Sequence, residues 1–476
     1  LICSNHSRKA GRRQPFAVSG ILWYSKGEYF SRKTEDKMTE EQWHSFIEDL
    51  RVRRSIDLGL ENVERLLERL GSPQAKIPVI QIAGTNGKGS VGAYVANILK
   101  EAGYRTGHFS SPAVYAYEEM FQIDTKPVEK EKLIRLCEEI RVVCEQMEKD
   151  GYPHPTLFEV EAACAYLLFY REQCQIAVME AGMGGAEDAT NVVPCPVLSI
   201  LTSIGIDHTR FLGNSMEEIA ACKAGIIKKG SRAVSIRQMP EAQRVLKERS
   251  DSLSVPITFV TPPDIKDVTI SVGKNGISQS FQTEEGMQLV VRNGGVYQIE
   301  NAALAAASAV LLAEKGYAIT NQHIKMGLYE TRWRGRFGIL SDDPLIVADG
   351  AHNPDAVKKL RQSIDSYFTN YKIVYIIGVL ADKDYEKMLS LMAGAADTVV
   401  CVTPPGERAL PAKTLARHAE QYYDTVYAAE DMEDACHTAV GFLGNREDAL
   451  ILAWGSLSYQ SQLQECVNSR KNEHHK

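Results

Sequence analysis

The run Gly84-Thr85-Asn86-Gly87-Lys88-Gly89-Ser90 holds the residues of this sequence best suited to chemistry. Glycines let successive backbone N–H groups approach an anion, Lys88 offers a cation to phosphate, and the Ser90 hydroxyl can face a magnesium ion. The spacing is not that of the standard phosphate loop. Its first glycine stands too close to Gly87-Lys88, and Gly89 intervenes before Ser90. Other titratable residues follow at intervals: Glu180 before Ala181-Gly182-Met183-Gly184-Gly185, Asp207-His208, Lys223, and Asp349-Gly350-Ala351-His352. Glu180 could be a hard oxygen ligand for magnesium or a helix-capping acid. Taken singly, His208 also fits a hydrogen-bonded structural histidine, Lys223 a solvated lysine, and Asp349-Gly350 an ordinary strand-ending turn.

A phosphate loop functions only between a strand and a helix, and the flanking sequence supplies both. Val79 to Ala83 is apolar and short, and Val91 to Ala102 has a helical pattern. From residue 77 onward, apolar runs alternate with amphipathic stretches, as in parallel sheets built from βαβ units. Further strands are expected at Ile176 to Glu180, Val197 to Thr202, Leu345 to Ala348, Ile373 to Gly378, Thr398 to Val402 and Leu450 to Trp454. Residues 260 to 297 read as turns and antiparallel excursions before an Ala-rich helix at 300 to 316. A capping box, Ser215 to Glu218, opens the helix that carries Lys223. The expected fold is α/β: a P-loop ATPase-like parallel-sheet domain over 38–332 and a smaller Rossmann-like domain over 333–476, with the bend Trp333-Arg334-Gly335-Arg336 between them.

The chain has 476 residues and a net charge of −7, and residues 1–37 are basic while the remainder is correspondingly acidic. That balance argues against nucleic-acid binding. The longest apolar stretch, Ala302 to Ala313, is too short and too rich in alanine to span a membrane. The 10 cysteines form no CxxC pair or zinc-spaced cluster, so reduced thiols and a cytoplasmic location are expected. Thr39 reads as the N-cap of a helix with Trp43, Phe46, Ile47 and Leu50 on one face. Met38 is therefore read as a natural start, with 1–37 an upstream extension.

The GTNGKGS form of the loop is similar to that of the Mur ligase superfamily, and of its folylpolyglutamate synthase/dihydrofolate synthase branch in particular. Gly59-Leu60-Glu61-Asn62 with Leu66-Leu67 and Leu70-Gly71 resembles the branch's opening segment. Ser203-Ile204-Gly205-Ile206-Asp207-His208 and Glu218 to Ile226 resemble its "SIGxDHxxxLG" and "EIAxxKAGI" motifs, and Asp349 to Pro354 its "DGAHNP". This resemblance implies magnesium ligands at Ser110, Glu180, His208 and a carbamylated Lys223, a carbamate being an anion able to hold a metal. It implies ATP contacts from Gly84, Thr85, Asn86, Gly87, Lys88, Gly89 and Ser90, with Asn301, Arg336, Asp349 and His352. It also implies a pterin pocket at Thr156, Phe158 and Glu159 and at Glu187, Asp188 and Ala189.

The implied reaction transfers the γ-phosphoryl group of ATP to an acceptor carboxylate and lets the amine of L-glutamate attack the acyl phosphate. Lys88, Glu180, His208 and Lys223 would carry the catalysis. The acceptor would be dihydropteroate, a folate, or both, and a monomer is expected. Two segments depart from the resemblance. "SPHLxRxNER" appears as Ser111 to Met120, without its His and two basic residues, and "GGRLDATN" becomes Gly184-Gly185-Ala186-Glu187-Asp188, without its Arg. Substrate preference therefore stays open. Another Mur-type amide ligase would need an amino-terminal nucleotide-sugar domain, for which the stretch between Met38 and the first strand is too short. A non-catalytic nucleotide-binding module would have lost Lys88, Glu180, His208 or Lys223, and all four are present.

Overall fold

The computed structural model describes residues 38–53, 59–264, 267–273, 276–444, 446 and 448–474. The extension read into residues 1–37 lies outside them. Eight strands build the first sheet: β1 (Val79–Ala83), β2 (Thr106–Phe109), β3 (Phe121–Ile123), β4 (Lys126–Pro127), β5 (Ile176–Glu180), β6 (Leu198–Leu201), β7 (Ala233–Ile236) and β8 (Ile257–Val260). Their spatial order is β4-β3-β2-β5-β1-β6-β7-β8. β1 is parallel to both neighbours, with Ile82 opposite Glu180 and Ala83 opposite Leu201. The three central strands consequently end level. Their following loops open at one sheet edge, where ligands bind in such folds.

The helices of this lobe are α1 (Glu40–Val52), α2 (Glu61–Arg69), α3 (Lys88–Glu101), α4 (Lys130–Lys149), α5 (Leu157–Arg171), α6 (Thr209–Leu212), α7 (Met216–Ala224), α8 (Pro240–Ser252), α9 (Tyr297–Glu314) and α10 (Asn321–Glu330). Every β1 residue is buried, as expected of a strand covered on both faces. Val79 packs with α1, α2, α4 and α5, while Ile80 and Ile82 pack with α3, α9 and α10. The α1 stripe of Trp43, Phe46, Ile47 and Leu50 is buried, and Thr39 makes a reciprocal capping box with Gln42. Among the described residues, no helix is long and apolar enough to cross a membrane.

Between the lobes lies a small antiparallel sheet of β9 (Thr269–Gly273), β10 (Gly276–Gln282) and β11 (Gln288–Val291). The second lobe carries β12 (Gly338–Asp342), β13 (Leu345–Ala348), β14 (Lys372–Ile377), β15 (Thr398–Cys401), β16 (Thr425–Ala428) and β17 (Ala449–Trp454), in the order β12-β13-β17-β14-β15-β16. Only the edge strand β12 is antiparallel. Two α/β lobes with mostly parallel sheets match the expected fold class. The phosphate-loop helix differs in its start: it begins at Lys88, not Val91, because Gly87 adopts φ +92° and caps it.

Candidate active site

The loop after β1 is held by its neighbour. Thr85 and Asn86 donate their N–H groups to the carbonyl of Ser203, at 2.8 and 3.2 Å, and Gly205 N–H donates to Thr85 Oγ1 at 3.0 Å. The close fit explains two glycines. A Cβ at Gly84 would lie 1.9 Å from Thr202 Oγ1, and one at Gly87 would lie 2.4 Å from Asn301 Oδ1. Asn301 on α9 thus abuts the loop, and it donates to Gln298 Oε1 at 3.1 Å. Gln298 in turn donates to the buried Ser90 hydroxyl at 3.2 Å, so α9 orients that hydroxyl.

Two lysines meet at one carbonyl. Lys88 Nζ and Lys223 Nζ both donate to Gly84 O, at 3.2 and 2.9 Å. Lys223 projects inward from α7 and is 3% exposed, so the solvated-lysine alternative is wrong. Burial, with Lys88 adding repulsion, brings its pKa down to about 7. Lys88 also lies 3.9 Å from Glu180 Oε1 at the end of β5. Burial pushes Glu180 up to about 7, against the pull of Lys88, Arg336 and the nearby Ser111 N–H. Ser110 is buried directly after β2, the strand beside β5. His208 stands on the β6 side, exposed, in the left-handed backbone region at φ +52° as the cap of α6.

The second lobe closes over this edge. Lys383, after β14, pairs with Asp207 at 2.7 Å, and both side chains are less than a tenth exposed. Asn353 and Asn86 exchange side-chain bonds of 3.1 and 3.2 Å, and Asn353 also donates to Asp207 at 3.1 Å. His352 Nε2 lies 3.7 Å from the same carboxylate. Asp349 is spent internally: it accepts from Tyr297 Oη, Phe337 N and Ala351 N at 2.5, 2.9 and 2.7 Å. Arg336 packs on Gly350, where a Cβ would lie 2.1 Å from its guanidinium.

The residues assigned to a pterin pocket divide. Thr156 and Glu159 form a reciprocal capping box that starts α5, and Glu159 also accepts from Asn62 at 3.3 Å. The sequence signal was a Thr with Glu three residues later, which sequence analysis read only as a pocket motif. Asp188 is turned inward and accepts from Met183 N and from Thr190 N and Oγ1, so it closes its own loop. Ala189 is buried in the core and Glu187 is exposed. Phe158 lies at the edge of the strand ends, its ring against Gly182, where a Cβ would be 2.5 Å away, and 6.1 Å from Phe109.

Sequence reasoning missed three further residues. Trp333 covers Gly89, where a Cβ would sit 3.0 Å from the indole and 3.2 Å from Glu180 Oε2. The Asp207–Lys383 pair had one signal, a lysine between acids just after a strand end. Gln298, about one turn before the Ala-rich run begins at Ala302, carried none.

Comparison with known proteins agrees with this two-lobed fold. Residues 82–309 match the Mur ligase middle domain and residues 335–457 the Mur ligase glutamate ligase domain. The chain is 32% identical to a dihydrofolate synthase/folylpolyglutamate synthase of Bacillus subtilis, over 87% of this chain and 96% of that protein. It superimposes on the folylpolyglutamate synthase of Mycobacterium tuberculosis complexed with ADP with a TM-score of 0.79, at 28% identity, covering 90% of this chain and 97% of that one. A solved FPGS–AMPPCP–folate complex gives a TM-score of 0.75 at 29% identity, with 89% and 98% covered.

Proposed function

The chain belongs to the Mur ligases, in their dihydrofolate synthase/folylpolyglutamate synthase family, and from that premise we propose an ATP-dependent ligase that adds L-glutamate to dihydropteroate, to folates, or to both. The observation that carries this reading is the convergence of Lys88, Lys223 and Glu180 at a glycine loop roofed by the second lobe. The proposed division is 38–332 for the ATP-binding lobe and 333–476 for the glutamate-ligase lobe.

In this reading the N–H groups of the first turn of α3, Lys88 to Ser90, cradle the ATP phosphates, while those of Thr85 and Asn86 anchor the loop on Ser203 O. Lys88 draws charge from the transferring phosphoryl group as it passes to the acceptor carboxylate. The acyl phosphate formed has a good leaving group. The glutamate amine attacks its carbonyl, the C–O bond to phosphate breaks, and the amine proton leaves, giving an amide, ADP and phosphate. Asn301, Arg336 and His352 flank the nucleotide, and Asp349 holds the backbone beside Arg336 and His352. Phe158 offers a ring face to a pterin, and the capping box at Thr156–Glu159 and the loop closed by Asp188 set its position. The bridged second lobe excludes water from the acyl phosphate.

The donor set also fits magnesium. Among the described residues no three His, Cys, Asp or Glu side chains converge. Magnesium does not require them, since it is commonly held by one or two carboxylates with water and phosphate. Glu180 is a buried carboxylate whose cost a cation would relieve, with Ser110 directly after the neighbouring β2 and His208 in the loop after β6, on the far side of β1. Lys223, brought near neutrality, is an amine suited to carbamylation, which would turn it into a further anionic ligand. Bound there, magnesium would neutralise charge on the phosphates.

The test is ADP release that depends on glutamate and magnesium, with 7,8-dihydropteroate and separately with a reduced folate monoglutamate. Each product should gain the mass of one glutamate residue. Release with neither acceptor, alongside normal ATP binding, would remove the folate assignment and leave the wider amide-ligase reading.

A further inference from the structure

The rim of the site on the β2 side has a cation of its own. Segment 113–120 runs from β2 toward β3 and carries Glu118 and Glu119 but no lysine or arginine. The linker between the lobes supplies one. Arg334 stacks its guanidinium 3.9 Å from the centre of the Tyr115 ring, a cation–π contact. Next to it Val114 packs on Gly335, where a Cβ would lie 3.1 Å from Val114 Cγ1. Glu119 accepts from Tyr115 N at 3.1 Å and fixes the turn. Arg334 forms a long ion pair with Glu119 at 3.9 Å, beyond hydrogen-bonding range, and its side chain is 60% exposed. Its donors therefore face solvent from a braced position.

That position adjoins the reacting centre. The Trp333 indole, next in the chain to Arg334, comes up against Gly89 beside Glu180. Across the strand ends the phosphate loop follows β1, Glu180 ends β5, and Ser110–Tyr115 follow β2. With the nucleotide over β1 and the second lobe's Lys383 over the β6 side, an acceptor carboxylate approaches from the β2 side. An acceptor that already ends in glutamate brings a second carboxylate beside the reacting one. A guanidinium is the group that matches it, by paired charge-assisted hydrogen bonds.

We infer that Arg334, held on Tyr115, binds the second carboxylate of a glutamate-terminated acceptor and sets the preference for such acceptors. The inference rests on the ligase reading above.

The experiment compares a reduced folate monoglutamate with the same compound bearing a carboxamide in place of its α-carboxylate. For the unmodified protein KM should be about tenfold lower for the acid than for the amide, with kcat within about twofold. Arg334→Ala should raise KM for the acid to that of the amide and leave the amide unchanged. Arg334→Lys should recover part of the difference. Tyr115→Leu should lose most of it and Tyr115→Phe should keep it, because the ring face and not the hydroxyl holds the guanidinium. Equal KM values for acid and amide in the unmodified protein would overturn the inference and leave the ligase reading standing. So would an Arg334→Ala protein that still prefers the acid. No turnover of either compound, with ATP bound, would instead count against the folate-ligase reading.

Discussion

Lys223 sits where an ordinary lysine would be costly, buried, donating to Gly84 O and sharing that oxygen with Lys88. A buried ammonium beside a second one is strongly disfavoured, and its pKa of about 7 records that cost. The position is tolerable if the amine is neutral or is converted to an anion that a metal uses. Lys223→Ala should therefore cut kcat by at least about 100-fold, the scale expected for loss of a metal-site group, without a loss of thermal stability. Circular dichroism melting and a coupled ADP assay check both halves. Near wild-type turnover at saturating magnesium would remove Lys223 from the proposed site. That a lysine lies in this helix was legible in the sequence. Its lowered pKa was not, because burial and a second lysine arise only on folding.

Two buried acids show how α5 is set as an element. Its first turn is closed by Thr156 and Glu159 acting on each other's backbone. Thr156→Ala should accordingly cost about 1 kcal/mol in urea unfolding, a cap's usual contribution, whatever it does to substrate binding. An unchanged unfolding midpoint would argue that the box contributes nothing. One turn on, Glu161 is 7% exposed and accepts from Tyr117 Oη at 3.0 Å. Burial raises it from 4.5 to about 7. Between those values the folded protein binds the extra proton, so stability is full below pH 4.5 and is lost as pH rises through about 7. Glu161→Gln keeps a neutral partner for Tyr117. Its melting temperature should match the wild type near pH 5 and exceed it increasingly toward pH 8, by up to about 3 kcal/mol in stability. A parallel offset at all pH values would show that Glu161 is not the titrating group.

At the scale of the whole molecule, the lobes meet through Asp207, Lys383, Asn353 and Asn86 at the mouth of the site. Removing one member of a buried ion pair leaves the other uncompensated and costs about 3–5 kcal/mol, whereas replacing both can be nearly neutral. Lys383→Met should thus lower the melting temperature clearly, and Asp207→Asn/Lys383→Met should recover much of the loss. The double-mutant cycle should show a coupling above about 1 kcal/mol. Additive effects would mean that the two lobes are not joined through this pair.

The sequence alone determined the parts of this molecule written in neighbouring residues. The strand–loop–helix around Gly84–Ser90, the α1 stripe and the Ser215–Glu218 box lie there because backbone spacing, periodicity and capping act over a few residues. Strands with little apolar signal were not legible. β2, Thr-Gly-His-Phe, is buried because β3 and β5 flank it and α3 and α5 cover its faces. Nor could sequence decide which side chains meet. Lys223 reaches Gly84 across 139 positions, and Lys383 reaches Asp207 across 176. Those distances depend on strand order, on β5 and β6 standing either side of β1, and on how the second lobe is laid over that edge. Tertiary structure also gave Thr156, Glu159 and Asp188 bonds to the chain's own backbone that the sequence motifs did not reveal, since those bonds form only once the local turns close.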